Sequence, residues 1–126
     1  MRLSAKWLFG AAAGFNAVVG LGLLFARRDM AAALRLDPIE GSNLLLLYLT
    51  AGFILLFGYG YARVAADPAA WRPFIPFSAI GKTMAVASML ACWLEGQVAW
   101  VVPALGVGDL VFAGLFLVWL RQNPAP

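Results

Sequence analysis

The chain has 126 residues, of which 63% are hydrophobic and 12% are charged, and its formal net charge is +3. Soluble domains carry about 25% charged residues, so this composition predicts one integral membrane domain over residues 1–126, with little room for a soluble catalytic module. The absence of histidine and the presence of a single cysteine exclude imidazole-based catalysis, zinc sites and haem sites built on histidine, and an internal disulfide.

The first apolar run, residues 7–26, predicts a membrane-spanning helix, since a span needs roughly 20 apolar residues. A signal-peptide core has roughly 7 to 15 apolar residues and a small-residue cleavage site, whereas this run is longer and ends in charged residues. Gly10 and Gly14 form a GxxxG motif, which lets another helix backbone approach closely in a membrane. These two glycines are therefore the candidate contact with a protein partner or with a second copy of the chain.

Residues 27–42 connect the first two spans outside the membrane. Met30, Leu34 and Leu36 are spaced to form a short amphipathic segment in the membrane interface, and Pro38 ends it. The chain then enters the second predicted span, residues 43–65.

The second span has a stripe of residues predicted to face the other helices. At about 100° per residue, the stripe combines polar and apolar side chains. Its members are Asn43, Leu47, Thr50, Ile54, Phe57 and Tyr61. Thr50 is the polar member nearest the middle of the span.

The third predicted span, residues 77–94, is the least apolar, and Pro76 precedes it in a position suited to the first turn of a helix. Its polar and small residues fall on one arc of about 120°, which we expect to face inward. The arc consists of Ser78, Gly81, Lys82, Ala85, Ser88, Met89 and Cys92. In this setting Cys92 is expected to be a small packing residue rather than a redox centre.

The fourth predicted span, residues 98–120, carries one carboxylate, Asp109, at its middle. An ionisable group at the centre of a spanning helix costs on the order of 3 kcal/mol on insertion scales, so it is expected to face protein or water. Asp109 therefore requires a partner, and Lys82 is the only cation predicted to lie at a similar depth.

Each predicted span contributes one polar residue to a common central layer, namely Asn16, Thr50, Lys82 and Asp109. At about 1.5 Å of rise per residue, these positions fall within roughly 10 Å of depth. This layer is the candidate ligand-binding site. Two interpretations of the Lys82 and Asp109 pair stay open: a neutralised pair that fixes helix register, or part of a ligand pocket or proton path.

The distribution of Lys and Arg predicts the orientation. One side holds both termini and the second connection with Arg2, Lys6, Arg63, Arg72 and Arg121, and the other holds Arg27, Arg28 and Arg35. By the positive-inside rule, both termini should be cytoplasmic. These charges lie near helix ends and form no basic patch, so we expect no nucleic-acid binding.

The loop sequences carry a family resemblance. Residues 32–38, Ala-Ala-Leu-Arg-Leu-Asp-Pro, follow the first span, and residues 65–68, Ala-Ala-Asp-Pro, end the second. This layout resembles small bacterial four-helix membrane proteins of the DoxX-like type. The resemblance implies a subunit of a bacterial inner membrane near a quinone or another lipophilic ligand, and it carries over no catalytic residue.

The expected fold is an all-α integral membrane four-helix bundle with up-down-up-down order and a short interfacial amphipathic segment between the first two spans. The function favoured by the sequence is a non-enzymatic subunit or assembly partner of a larger membrane complex, since no catalytic or metal-binding constellation is present. The alternatives are a protein that binds quinone or another lipophilic ligand in an intramembrane polar pocket, and a small transporter or channel. No cofactor is expected beyond a bound quinone or lipid.

Overall fold

The computed structural model describes residues 1–126 and contains five helices and no strand. The helices are α1 (Ala5–Phe25), α2 (Arg27–Ala33), α3 (Asn43–Ala66), α4 (Phe74–Leu94) and α5 (Val101–Gln122). Four of them, α1, α3, α4 and α5, are long and apolar enough to cross a membrane. The chain is therefore an all-α, multi-pass membrane bundle of four spans, with the short helix α2 between the first two, as the sequence predicts.

Two of the spanning helices begin three residues away from the predicted position, and the other boundaries agree within two residues. α4 begins at Phe74 rather than at residue 77. Pro76 lies inside its first turn, where the missing backbone N–H has no helical partner to lose. α5 begins at Val101 rather than at residue 98, because residues 98–100 form a non-helical segment, in which the Ala99 carbonyl accepts from the Val102 N–H at 3.1 Å.

The turn after α4 is a Schellman motif. Gly96 adopts a φ of +74°, a left-handed conformation that glycine adopts without steric cost. The Gly96 N–H donates to the Trp93 carbonyl at 3.0 Å, and the Gln97 N–H donates to the Cys92 carbonyl at 2.9 Å. These bonds satisfy the last carbonyls of α4 and reverse the chain toward α5.

The four spans form two closely packed pairs, α1 with α3 and α4 with α5. In the first pair, Gly58 lies so near α1 that a Cβ added to it would be 3.1 Å from the Asn16 Cβ. In the second pair, a Cβ on Gly106 would be 3.2 Å from a Val86 methyl group. Small residues thus allow close backbone approach, which is how membrane helices gain packing contacts without a hydrophobic driving force.

The main core joins the two pairs at one end of the bundle, the end that holds both chain termini and the α3–α4 connection. Leu3 donates its N–H to Gln122 Oε1 at 2.9 Å, and Gln122 Nε2 donates to the Met1 carbonyl at 2.9 Å. We refer to this as the termini end. Its core comprises Leu8, Phe9, Ala12, Tyr61, Val64, Ile75, Phe116 and Trp119.

At the opposite end, which we call the loop end, the two pairs share little packing. The buried cluster there contains Leu23, Leu47 and Ala51, which belong to α1 and α3 alone. The last buried residue of α4 is Val86. The expectation that Cys92 packs within the bundle is therefore wrong, because Cys92 lies in the part of α4 beyond Val86 and is exposed.

Candidate functional site

Lys82 and Asp109 form an ion pair at the centre of the bundle, with Lys82 Nζ 2.5 Å from Asp109 Oδ1. The side chains are 5% and 16% exposed, respectively. Each residue lies within about three positions of the middle of its helix, which corresponds to about 4 Å of depth at the rise of an α-helix. The predicted pairing is confirmed, and it links α4 to α5 at mid-membrane depth.

Asn16 extends this pair to the first two spans. Its Nδ2 donates to the Ile54 carbonyl of α3 at 2.9 Å, and its Oδ1 accepts from Lys82 Nζ at 3.4 Å. Asn16 is 6% exposed. A single amide therefore connects α1, α3 and α4, and the structure brings three of the four predicted residues, Asn16, Lys82 and Asp109, into one cluster.

Three aromatic rings surround the lysine ammonium. Lys82 Nζ lies 5.7 Å from the Phe15 ring centroid, 5.2 Å from that of Tyr61 and 5.5 Å from that of Phe112. Ring quadrupoles attract a cation at such distances, and they do so more strongly where water is excluded. The rings therefore help hold the ammonium inside the bundle, where it would otherwise lose its hydration.

The sequence contains partial signals for the position of these rings but none for their shared role around Lys82. Phe15 precedes Asn16, Phe112 lies three positions after Asp109, and Tyr61 belongs to the inward stripe predicted for the second span. Spacing places Tyr61 and Phe112 on the inward side of their helices, whereas Phe15 lies about 100° around α1 from Asn16. It does not indicate that all three converge on one ammonium, since that depends on how the helices are rotated relative to one another.

A cavity of about 180 Å³ adjoins the cluster between α3 and α4. Beside Asn16, Lys82, Asp109 and Tyr61, its wall contains Phe53, Ile54, Phe57, Gly81 and Ala85. Phe53 is 60% exposed and Ala85 is also exposed, so these two residues form the rim on the surface of the bundle. Because both lie well inside spanning helices, the cavity opens sideways toward lipid rather than toward either aqueous face.

Two polar atoms near the cavity make no hydrogen bond that meets the usual distance and angle limits. The Tyr61 hydroxyl is buried and makes no hydrogen bond. The neighbouring Ser78 hydroxyl donates instead to the Ile75 carbonyl at 2.9 Å. Asp109 accepts from Lys82 through Oδ1, and its Oδ2 has no partner. Because Tyr61 is 0% exposed, its hydroxyl is closed off from the cavity, whereas the Asp109 carboxylate forms part of the cavity wall.

Thr50, the fourth predicted site residue, is not part of the cluster. It is exposed and lines a separate depression near the loop end, together with Asn43 and Leu47. Thr50 belongs to the stripe predicted to face inward. At the depth of Thr50, however, α4 no longer packs against α3. The expectation that Thr50 belongs to the polar centre is therefore wrong.

The other chemical features of the chain lie apart from this cluster. A depression of about 390 Å³ beside α2 has Arg27, Arg28 and Glu40 in its wall, at the boundary of the spanning region. No group of three or more His, Cys, Asp or Glu residues could hold a metal ion. The cluster at mid-membrane depth is the site where buried polar groups meet a cavity.

Together, four spanning helices and a buried charged cluster beside a lateral cavity define a small multi-pass membrane protein with an intramembrane polar site. Comparison of the chain with protein-family profiles, curated proteins and solved structures finds no match. Its function is therefore inferred from the site itself.

Proposed function

We propose that this protein binds a lipophilic molecule within the membrane, with the polar head of that molecule in the cavity beside Lys82 and Asp109. The observation that carries the proposal is that the buried ion pair forms part of the wall of a cavity whose rim, at Phe53 and Ala85, faces lipid. Helix bundles commonly place ligand sites between their helices, with a few polar groups in an apolar wall.

A purely structural role explains less of this arrangement. A buried ion pair adds little net stability, since well-packed apolar residues in its place are often neutral or stabilising. A pair that only fixed helix register would need no cavity beside it and no rim open to lipid. The sequence alone favours an assembly role, whereas the cavity favours ligand binding. The resemblance to DoxX-like proteins supports the same proposal, because it implies a quinone or another lipophilic ligand.

The test is to identify what the protein retains when it is extracted with its surrounding lipid in polymer discs and examined by native mass spectrometry. Ala85→Phe should fill the rim of the cavity. Ala87→Phe is the matched control, because Ala87 is exposed on the same helix and is not part of the cavity wall. We expect a specific bound molecule in the wild type and in Ala87→Phe, and its loss in Ala85→Phe.

Two results would contradict the proposal. One is a wild-type protein that retains only the bulk lipids, in the proportions of the surrounding membrane. The other is an identical set of retained molecules in the wild type and both variants, which would show that the cavity holds none of them.

We propose self-association as a second role, in which Gly10 and Gly14 contact a second copy of the chain. Both glycines are exposed, and a Cβ added to either would meet nothing within 4 Å. The GxxxG face thus has no partner within the bundle and has the form used by membrane helix dimers. Gly10→Ile with Gly14→Ile should convert a dimer to a monomer by mass photometry, whereas Gly114→Ile, equally open, should not.

We also propose that the protein lies in a bacterial inner membrane with both termini in the cytoplasm. The termini end has Arg2, Lys6, Arg63, Arg72 and Arg121, and the loop end has Arg27, Arg28 and Arg35. Cytoplasmic faces carry the excess of Lys and Arg, which supports this orientation.

A further inference from the structure

We infer that the depression beside α2 binds the head group of a zwitterionic phospholipid, with the phosphate on Arg27 and Arg28 and a primary ammonium on Glu40. The depression has a volume of about 390 Å³, and all three side chains form part of its wall. This site is separate from the cavity beside Lys82 and Asp109, and it does not depend on the function proposed for that cavity.

The depression lies at the level of the lipid head groups. It belongs to the connection between α1, which ends at Phe25, and α3, which begins at Asn43, so it adjoins the loop-end boundary of two spans. In the same connection, the Arg35 guanidinium lies 5.9 Å from the ring centroid of Trp100, which is 60% exposed. Exposed tryptophans concentrate in the membrane interface, where phospholipid head groups are the neighbouring molecules.

The three charged groups of the wall have no ionic partner within the protein. The one ion pair of the structure joins Lys82 and Asp109. The Glu40 carboxylate therefore lies beyond ion-pair distance of Arg27 and Arg28, although all three side chains line the same depression. The space between them can hold a group that carries one negative and one positive charge.

Phosphate and a primary ammonium match these side chains individually. A guanidinium forms paired hydrogen bonds with phosphate oxygens, and two arginines in one wall can share a phosphate. A primary ammonium has three N–H donors for a carboxylate, whereas the quaternary ammonium of choline has none. Phosphoethanolamine therefore fits all three side chains, and phosphocholine fits the two arginines alone.

The charge balance of the connection favours a zwitterionic head over an anionic one. Residues 27–40 contain three arginines and three carboxylates, so their net charge is zero. A polybasic segment attracts anionic lipids through its excess positive charge, and this segment has no such excess. An anionic head would also place its charge beside Glu40 without an ammonium to offset the repulsion.

The neighbouring surface can hold the acyl part of the lipid. Leu36 and Ile39 line the depression and also form part of the wall of a second depression of about 380 Å³. This second depression continues along α3 past Leu46 and Leu47 to Thr50, about 10 Å of helix from the start of α3. A complete lipid therefore gains contacts that free phosphoethanolamine, the other source of the same head chemistry, does not.

The experiment measures lipid binding to the full chain in detergent micelles by native mass spectrometry. The probes share two oleoyl chains and differ in the head: phosphatidylethanolamine, phosphatidylcholine and phosphatidylglycerol. We expect phosphatidylethanolamine to bind about two- to fivefold more tightly than either of the others, the effect of one exposed ion pair. Soluble phosphoethanolamine at the same concentration should not displace the bound lipid.

Two substitutions separate the roles of the carboxylate and the arginines. Glu40→Gln should abolish the preference for phosphatidylethanolamine over phosphatidylglycerol. The preference should persist in its control Asp37→Asn, because Asp37 is exposed in the same connection and does not line the depression. Arg28→Gln should weaken binding of all three lipids by about two- to fivefold. Arg35→Gln is its control, since Arg35 is also exposed and lies outside the wall.

Several results would overturn the inference, provided that the thermal midpoints of the variants match that of the wild type. Absence of saturable binding would do so, as would phosphatidylglycerol binding as tightly as phosphatidylethanolamine. Equal weakening by Arg28→Gln and Arg35→Gln would indicate a general charge effect, and a preference that persists in Glu40→Gln would exclude the carboxylate. Displacement of the lipid by equimolar phosphoethanolamine would overturn the lipid as ligand and identify the free head group instead.

Discussion

Removal of one charge from the central ion pair should destabilise the protein far more than removal of both. In Asp109→Leu, the Lys82 ammonium would be left 5% exposed without its counter-ion. At the observed separation of 2.5 Å, two unit charges attract by about 7 kcal/mol at an effective dielectric constant of about 20. The aromatic rings around Lys82, and extension of its side chain toward water, should recover part of this loss. We expect a net cost of about 3 to 5 kcal/mol, as for other broken buried pairs.

The double variant Lys82→Met with Asp109→Leu contains no charge at this depth and has side chains of similar volume. Its free energy of unfolding should lie within about 1 kcal/mol of the wild type, or above it. The assay is unfolding by sodium dodecyl sulfate in mixed micelles, followed by circular dichroism. Asp37→Leu is the control, because Asp37 is exposed outside the spans and should change stability by no more than about 0.5 kcal/mol.

Two results would refute this reasoning. If Asp109→Leu alone costs less than about 1 kcal/mol, the lysine does not depend on the carboxylate, and the ion pair is not the organising contact of the site. If the double variant is as unstable as Asp109→Leu alone, the loss of stability comes from altered packing around the cavity and not from the unpaired Lys82 ammonium.

Three further predictions concern packing, the polar cluster and topology. Gly58→Leu should lower the free energy of unfolding by about 1 to 3 kcal/mol, because the new side chain would press on Asn16 in α1. Gly52→Leu is the control: a Cβ there would have nothing within 4 Å, so this variant should be near neutral in the same unfolding assay. Asn16→Leu should lower the free energy of unfolding by about 0.5 to 1.5 kcal/mol, the range of interhelical hydrogen bonds in membranes. Asn43 makes no such bond, so Asn43→Leu should lower it by less. Reporter fusions in the α3–α4 connection and in the α4–α5 turn should report opposite sides of the membrane, and the same side for both would contradict four spans.

The spans and the central pair could be predicted because the bilayer imposes strict conditions on both. A spanning helix needs a long apolar run, and the chain has four. A carboxylate and an ammonium at similar depth must neutralise each other or reach water, and Lys82 and Asp109 are the two ionisable groups at that depth. On α4 the predicted arc is only partly correct. Its members Ser78 and Lys82 are buried, but Ala85 is exposed, and the buried Val86 lies outside the arc.

The remainder of the site depends on how the helices sit against one another, which helical periodicity does not specify. Thr50 lies on the predicted stripe, but whether that stripe meets a neighbour depends on the separation of the two helix pairs at the loop end. The cavity is a gap between α3 and α4, and a gap has no sequence pattern of its own. The free Tyr61 hydroxyl depends on the side-chain arrangement in which Ser78 bonds to Ile75 instead.

Ligand retention by the Lys82→Met, Asp109→Leu double variant tests the central claim most directly. The variant removes the charges while it keeps the apolar wall of the cavity, at Phe53, Phe57 and Ala85. Native mass spectrometry of protein in membrane-derived discs would measure the retained molecule, beside the thermal midpoint of the same sample. The account predicts a stable, inserted protein that has lost the molecule bound by the wild type. A double variant with unchanged stability and the same bound molecule would contradict it.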